Sequence, residues 1–466
     1  MKLRYALCAS AALSCLMISP AIAQDSADSV EATEGEEIIV TAVARGQNRI
    51  ESSVSVSTIG SQAITNLAAP SSADLIRQIP GIRSEASGGE GNANIAVRGI
   101  PVSTGGARYI QLQEDGLPIL EFGDIIFGNA DNFLRADRSV ARVEAVRGGS
   151  ASTFASQAPG AVINFISKTG ETKGGQIAYS NGVGFREQRI DFDYGGPIDE
   201  TTRFHIGGYA RNGGGYTNEN FNILRGYQIK ANITKEFDGG YIRFHAKYLD
   251  DKTPTILPQP VFVGGSNSNP DYNAIPGFNP RTDSLYSPFL TPAVSLDGDN
   301  NPARYDFRDG LSVKSLAFGI ESEIDVGSGW TLTNRFRFAD NSGSFQSPFP
   351  ASAGAAQDIA NGIGGAGSSI VFATGPNAGQ AANAANIGGN GLLTNGTKAE
   401  VESHSTQVAV RALPLSEDEL AVFMLSRIET GDLALEDIPT RLARYGLMAP
   451  DAFIEEMRER MGLQED

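Results

Sequence analysis

The stretch Ser139–Gly170, SVARVEAVRGGSASTFASQAPGAVINFISKTG, decides the fold. It holds two strand-like runs, Val140 to Val146 and Ala161 to Ser167, joined by Gly, Ser, Ala and Pro that can only turn. The second run, Val162-Ile163-Asn164-Phe165-Ile166, is apolar on both faces, as a strand covered on both sides must be. Such a strand needs a shell around it.

Upstream, residues 53 to 169 read as a small α+β domain. Val54, Val56 and Thr58 alternate as a strand, and Ser71 with Asp74 opens a short helix with a capping-box-like start. Leu75, Ile76 and Ile79 give that helix its apolar stripe, and Pro80-Gly81 stops it. Ile95 to Gly99 is a further strand. Gln111 to Leu120 is a strand pair broken at Asp115-Gly116, a favoured two-residue hairpin turn. The polar loops 83–94, 101–107 and 121–135 are long for so small a domain, which points to binding.

Downstream, segments of about ten residues alternate apolar or aromatic with polar residues. They are Gly175 to Gly184, Arg186 to Tyr194, Arg203 to Asn212, Arg225 to Phe237, Tyr241 to Asp250, Ser312 to Ile324 and Trp330 to Phe345. Gly195 to Asp199 reads as a short turn and Asn212 to Asn222 as a longer loop. Short turns on one side and long loops on the other suit an antiparallel transmembrane β-barrel; a soluble sandwich also alternates, but the loop from Lys252 to Gly310 is too long for one. Residues 346–400, rich in Gly, Ala and Asn, read as a loop. The G-x-G-x-x-G at Gly362–Gly367 lacks the strand and helix a nucleotide site requires.

Residues 1–23 have the order of a secretory signal peptide: Lys2 and Arg4, an apolar run from Tyr5 to Ile18, then Ala21-Ile22-Ala23. Both cysteines, Cys8 and Cys15, leave with it, which excludes disulfides and thiol chemistry from the rest. Loss of Lys2 and Arg4 takes the formal net charge from −17 to −19, against a nucleic-acid partner. His205, His245 and His404 are scattered and lack a second ligand at metal spacing, so no metal, cofactor or enzyme chemistry is expected. Residues 24–52 form a flexible leader around an isolated β-prone hexamer, Glu37 to Ala42. That hexamer is either an edge strand of the next domain or a tethered strand offered to a partner's sheet edge.

The chain resembles a TonB-dependent outer-membrane receptor over roughly residues 36–400. Ile38-Ile39-Val40-Thr41-Ala42 resembles its TonB box, Asp74 to Ile82 its D-L-L-x-x-x-P-G-V element, Ile95 to Gly99 its I-R-G strand, and Val143 to Ile166 its closing L-R-G-P…G-G-x-I-N element. Phe154-Ala155 and Gly160-Ala161 depart from the usual Tyr-Gly and Gly-Gly. The resemblance implies a plug domain inside a barrel, an outer-membrane location, coupling to the TonB energy-transducing complex, and uptake of a scarce small-molecule ligand such as a ferric siderophore, or a carbohydrate. It implies structural roles in the plug for Arg98, Gly99, Arg147, Gly148, Gly160 and Asn164, with Arg98 and Arg147 paired to barrel-wall carboxylates. Ser103, Thr104, Arg108 and Tyr109, and Glu121, Phe122 and Asp124, would lie in the ligand-facing loops.

Residues 170–412 supply only seven or eight candidate strands, whereas a 22-stranded wall needs about 220 residues in strands. A short all-α tail follows at 413–466, with a capping box at Ser416–Glu419 and glycines Gly431, Gly446 and Gly462 closing three short helices. The expected architecture is therefore a plug, a partial barrel and an unrelated helical tail, as if a receptor were truncated. A soluble periplasmic binding or signalling module and a non-functional remnant stay open beside it.

Overall fold

The computed structural model describes residues 55–148 apart from 87–88, 101–105 and 121–128; residue 155; residues 158–255 apart from 216 and 218; and residues 261–347 apart from 275–278, 290–291 and 297–301. It also describes 39–40, 47–48, 353–355, 390–392, 395–412 and scattered positions between 358 and 381. The leader (but for four residues), the signal segment and the helical tail lie outside the described residues.

The plug is built on a five-stranded sheet. Its strands are β1 (Ser55–Gly60), β4 (Ile110–Glu114), β5 (Leu117–Pro118), β6 (Val140–Arg147) and β7 (Ala161–Ser167), in the order β1-β6-β7-β4-β5. β6 and β7 pair antiparallel, Val143 opposite Phe165 and Val146 opposite Val162. β4 runs parallel to β7, from Ile110 opposite Ala161 to Glu114 opposite Phe165. With neighbours on both edges, β7 can afford apolar residues on both faces, and all but Ile166 are buried. Between them β2 (Ile82–Glu85) pairs with β3 (Asn94–Val97), so the loop expected at 83–94 begins and ends in strand.

Two helices precede that pair. α2 (Ser72–Ile76) starts where its cap predicts: the Ser71 hydroxyl accepts from the Asp74 amide at 3.1 Å and donates to its carboxylate at 2.7 Å. Leu75 and Ile76 are fully buried, as is Ile79 beyond the helix end. α1 (Ser61–Leu67) is not signalled by the sequence, since it has no side-chain cap and buries no residue.

The wall is one eight-stranded antiparallel sheet whose strands neighbour one another in chain order. They are β8 (Gly174–Asn181), β9 (Arg186–Pro197), β10 (Thr202–Gly215), β11 (Leu224–Phe237), β12 (Gly240–Thr253), β13 (Leu311–Gly327), β14 (Trp330–Ser347) and β15 (Asn395–Ala412). β15 falls partly inside the stretch read as loop, because its Lys, Glu, Ser and Gln hide the alternation. The turn expected at Gly195–Asp199 sits further on, after Pro197, because β9 carries the Gly-Gly-Pro as strand. Connections of a few residues join β9 to β10, β11 to β12 and β13 to β14 at one end of the sheet, and the longer connection from β12 to β13 leaves from the other. Between β12 and β13 lie two hairpins, Phe262–Ser266 with Asn269–Asn273 and Pro292–Leu296 with Pro302–Asp306. Among the described residues neither β8 nor β15 pairs on its outer edge, so the wall is an open sheet.

Burial along the wall is inverted relative to a water-soluble sheet. On β11 the buried positions are Gln228, Lys230, Asn232 and Thr234, and the exposed ones include Tyr227, Ile229 and Ile233. Phe244 on β12 and Leu316, Phe318 and Ile320 on β13 continue the outward apolar face. This is the distribution of a lipid-facing barrel wall, and it disposes of the sandwich alternative. The inward side closes on the plug: Leu249, Leu311, Val313 and Phe345 of the wall share one apolar cluster with Leu75, Ile79, Leu112, Leu134 and Ile163.

Candidate functional site

The plug meets the wall across a seam of buried charge, anchored at the β4–β5 hairpin. Asp115 (φ 53°) and Gly116 (φ 83°) both take the left-handed conformation of a tight hairpin turn. The Gly116 amide donates to Asn164 Oδ1 at 3.0 Å, and the Asp115 carboxylate accepts from the Ser167 amide at 2.7 Å, so β7 fixes the turn. The turn delivers Glu114 between two wall strands. Lys230 of β11 donates to one carboxylate oxygen at 2.9 Å and Lys247 of β12 to the other at 2.8 Å. Lys247 also donates to the Phe133 carbonyl at 2.9 Å, and Arg337 of β14 to the carbonyls of Glu114 and Leu117, each at 3.1 Å, and of Pro118. Burial pushes the Glu114 carboxyl up, but Lys230 and Lys247 outweigh it and hold the group well below the usual carboxylate range.

A second cluster lies on the same seam. Arg135 of the plug donates from Nε to Asp251 Oδ2 at 2.8 Å, and Arg211 of β10 donates from Nε to Oδ1 at 3.0 Å. Glu90 of the plug pairs with Arg211 and lies 3.7 Å from Arg135. Both arginines and Asp251 are fully buried, so each charge depends on the others. Burial lowers the basicity of Arg135, while Asp251 and Glu90 raise it above its ordinary value. Nη1 of Arg135 also caps the 3-10 turn Ala130–Phe133 through the carbonyls of Asn132 at 2.9 Å and Leu134 at 3.0 Å. Further along, Gln228 donates to Asp137 at 2.7 Å and Lys168 pairs with Asp193 at 3.0 Å.

A cavity of about 510 Å³ opens beside the hairpin at the short-turn end of the wall. Asp115, Lys168, Asp193, His205, Arg243 and Glu321 are among the side chains lining it, so it is polar and carries both signs of charge.

The residues singled out from sequence are placed unevenly. Among the described residues Arg98 and Arg147 bond within the plug: Arg98 donates to Ser55 Oγ at 2.5 Å, and Arg147 donates to Ser57 Oγ at 2.7 Å and to the Pro80 carbonyl. Neither forms an ion pair with a carboxylate of the described wall strands. Burial and the neighbouring Arg98 hold Arg147 below its ordinary value. Gly148 (φ 104°) donates to the Gly160 carbonyl at 2.9 Å, and a Cβ on Gly160 would meet the Tyr109 carbonyl at 3.0 Å. Gly99 (φ 81°) follows Arg98 (φ 49°) out of β3. Arg108 and Tyr109 are exposed, whereas Ser103, Thr104, Glu121, Phe122 and Asp124 lie outside the described residues. Ile39 and Val40 form a two-residue strand; Ile38, Thr41 and Ala42 lie outside the described residues. No cluster able to hold a metal ion occurs among the described residues.

Sequence reading missed Glu90, Glu114, Arg135, Lys230, Lys247 and Asp251. The available signal was the wall's alternation itself: Lys230 and Lys247 stand in phase with the polar side, where a charge must face the plug.

Residues 48–162 match the family model of the TonB-dependent receptor plug domain. Over that stretch the chain carries a TonB-dependent receptor plug domain. It is similar to the ferric enterobactin receptor of Pseudomonas aeruginosa, with 29% identity over 216 residues that cover 42% of this chain and 28% of that protein. Among solved structures, the ferric yersiniabactin uptake receptor of Yersinia pestis gives a TM-score of 0.44 at 18% identity, covering 63% of this chain and 42% of the other. The pyoverdine-bound receptor of P. aeruginosa gives 0.48 at 16%, covering 67% and 38%. The chain thus spans less than half the length of each. The outward apolar face of the wall suits the lipid of a membrane crossed by strands. No helix among the described residues is long and apolar enough to cross a membrane.

Proposed function

We propose that the protein takes up a scarce ligand of the ferric-siderophore class across the outer membrane, with energy supplied through the TonB complex. The observation that carries this reading is the plug seated in a lipid-facing wall by the Glu114 and Asp251 ion-pair clusters. These pairs fix the plug in one register against the wall, beside the apolar cluster that plug and wall share. The likeness to a ferric enterobactin receptor supports the ligand class. In this reading Ile38 to Ala42 offer a strand to the coupling protein by strand addition. Ser103, Thr104, Arg108, Tyr109, Glu121, Phe122 and Asp124 meet the ligand, and Arg98 and Arg147 meet carboxylates of further wall strands. No bond is made or broken in the cargo, so the role is transport without enzymatic chemistry.

The test is binding of radiolabelled ferric enterobactin to outer-membrane preparations carrying the protein, followed by uptake with and without TonB. Saturable binding with TonB-dependent uptake is expected. Recovery of the protein in the soluble periplasmic fraction, with no ferric siderophore bound, would overturn the proposal.

A further inference from the structure

Beneath α1 lies a cavity of about 340 Å³ between the plug and strands β8 and β9 of the wall. That volume takes a small organic molecule. The plug side carries Ile64 of α1, Leu75 of α2 and Val140 of β6, and the wall side Ala178 of β8 and Phe185 of the turn that follows it. Leu75 and Val140 are buried, so the cavity has an apolar floor.

Of the charged side chains around this floor, all but one have a partner. Arg189 donates to both oxygens of Asp191, at 2.8 and 2.7 Å, and Lys168 pairs with Asp193 at 3.0 Å. Asp137 accepts from the Ser139 amide at 2.8 Å and from Gln228 at 2.7 Å, and Arg138 donates to Gln176 Oε1 at 2.6 Å. The exception is Glu187 of β9. Gln188 and Ile190 are exposed on that strand, Asp191 is buried and Glu187 and Arg189 are half-buried, so Glu187 stands on the inward face and lines the cavity. Among the described residues no hydrogen bond or ion pair reaches its carboxylate. Arg138 supplies none, because its partner Gln176 lies about 17 Å along β8 from Asn181, the residue opposite Gln188.

We propose that this cavity binds a small amphipathic primary amine, with the ammonium on the Glu187 carboxylate and the apolar body over Leu75 and Val140. A carboxylate partly withdrawn from water without a counter-charge gains most from a cation, and an apolar floor gains most from a ligand that excludes water from it. One molecule with a charged head and a short hydrocarbon body meets both needs. An anion of the same shape meets the floor but is repelled by Glu187. Binding there requires neither a ferric cargo nor the coupling complex.

The test uses the whole protein in a non-ionic detergent and three probes of equal chain length: hexylamine, charged at neutral pH as lysine is, hexanol and hexanoate. Calorimetric titration should show hexylamine binding saturably at one site and the other two binding at least about tenfold more weakly. Hexylamine should also raise the unfolding temperature, as a ligand of the folded state does, and hexanoate should not. Glu187→Gln keeps the shape of the side chain and should weaken hexylamine binding about tenfold. Ala178→Phe, which fills the cavity from the wall side and keeps Glu187, should abolish it. Equal affinity for hexylamine and hexanol, or hexylamine binding unchanged in Glu187→Gln or in Ala178→Phe, would overturn the proposal. Should either variant fail to fold, the preference of the unmodified protein among the three probes decides alone.

Discussion

Glu114 concentrates the electrostatics of the seam in one side chain. Its carboxylate is the counter-charge for two lysines on different wall strands, and its own carbonyl accepts from a third cation, Arg337. Removing it leaves two ammoniums facing each other out of water. Glu114→Gln is therefore expected to cost about 3–5 kcal/mol in the seating of the hairpin, the usual consequence of breaking a buried pair from one side. Replacing Glu114, Lys230 and Lys247 together by Met should come close to neutral, because the desolvation penalties vanish with the charges. Hydrogen exchange at Gln113 and Gly116 measures both. The pH dependence has a definite sign. The folded carboxyl is held below its unfolded value, so its contribution is complete above about pH 4.5 and is lost as the pH falls through the lower folded value. The unmodified protein should lose hairpin protection in that acid range, and Glu114→Gln should show no such limb.

At the scale of elements, the β4–β5 hairpin is where local sequence and seam agree. Asp115-Gly116 was legible because two consecutive left-handed residues are open to few side chains. Nothing local announced that this turn would reach the wall and fit beneath Arg335. A Cβ on Gly116 would lie 3.0 Å from Arg335 Nε, and φ there is 83°. Gly116→Val should thus cost about 1–2 kcal/mol through backbone strain, more if Arg335 cannot move, and the loss should appear as faster exchange of the Asp115 and Ser167 amides. β7 was legible for a related reason: a run apolar on both faces has few alternatives to a central strand. α1 was not legible, because it buries nothing and so imposes no periodicity. β15 was missed because its first half mixes polar residues into both phases, and its pairing with β14 sets Phe338 opposite His404. The charges of the seam are pairings between residues over a hundred positions apart, Glu114 with Lys230 and Arg135 with Asp251, which no local pattern encodes.

For the whole molecule, the inverted wall sets the environment in which everything else works. Ile229 faces outward near the middle of β11, while Lys230, the next residue, faces Glu114. These adjacent positions are interchangeable in sequence terms and opposite in solvent. If the outward face lies in hydrocarbon, a charge at 229 must be carried to the middle of the bilayer, whereas at 230 it already has a buried carboxylate. Ile229→Arg should then destabilise insertion by about 2–4 kcal/mol, and an equivalent substitution near a wall end, such as Phe237→Arg, by no more than about 1 kcal/mol. Urea titration of the protein folded into phosphatidylcholine vesicles reads the difference directly. Equal, small effects at both positions would mean that the face meets water, and the wall would then have to be covered by protein instead of lipid.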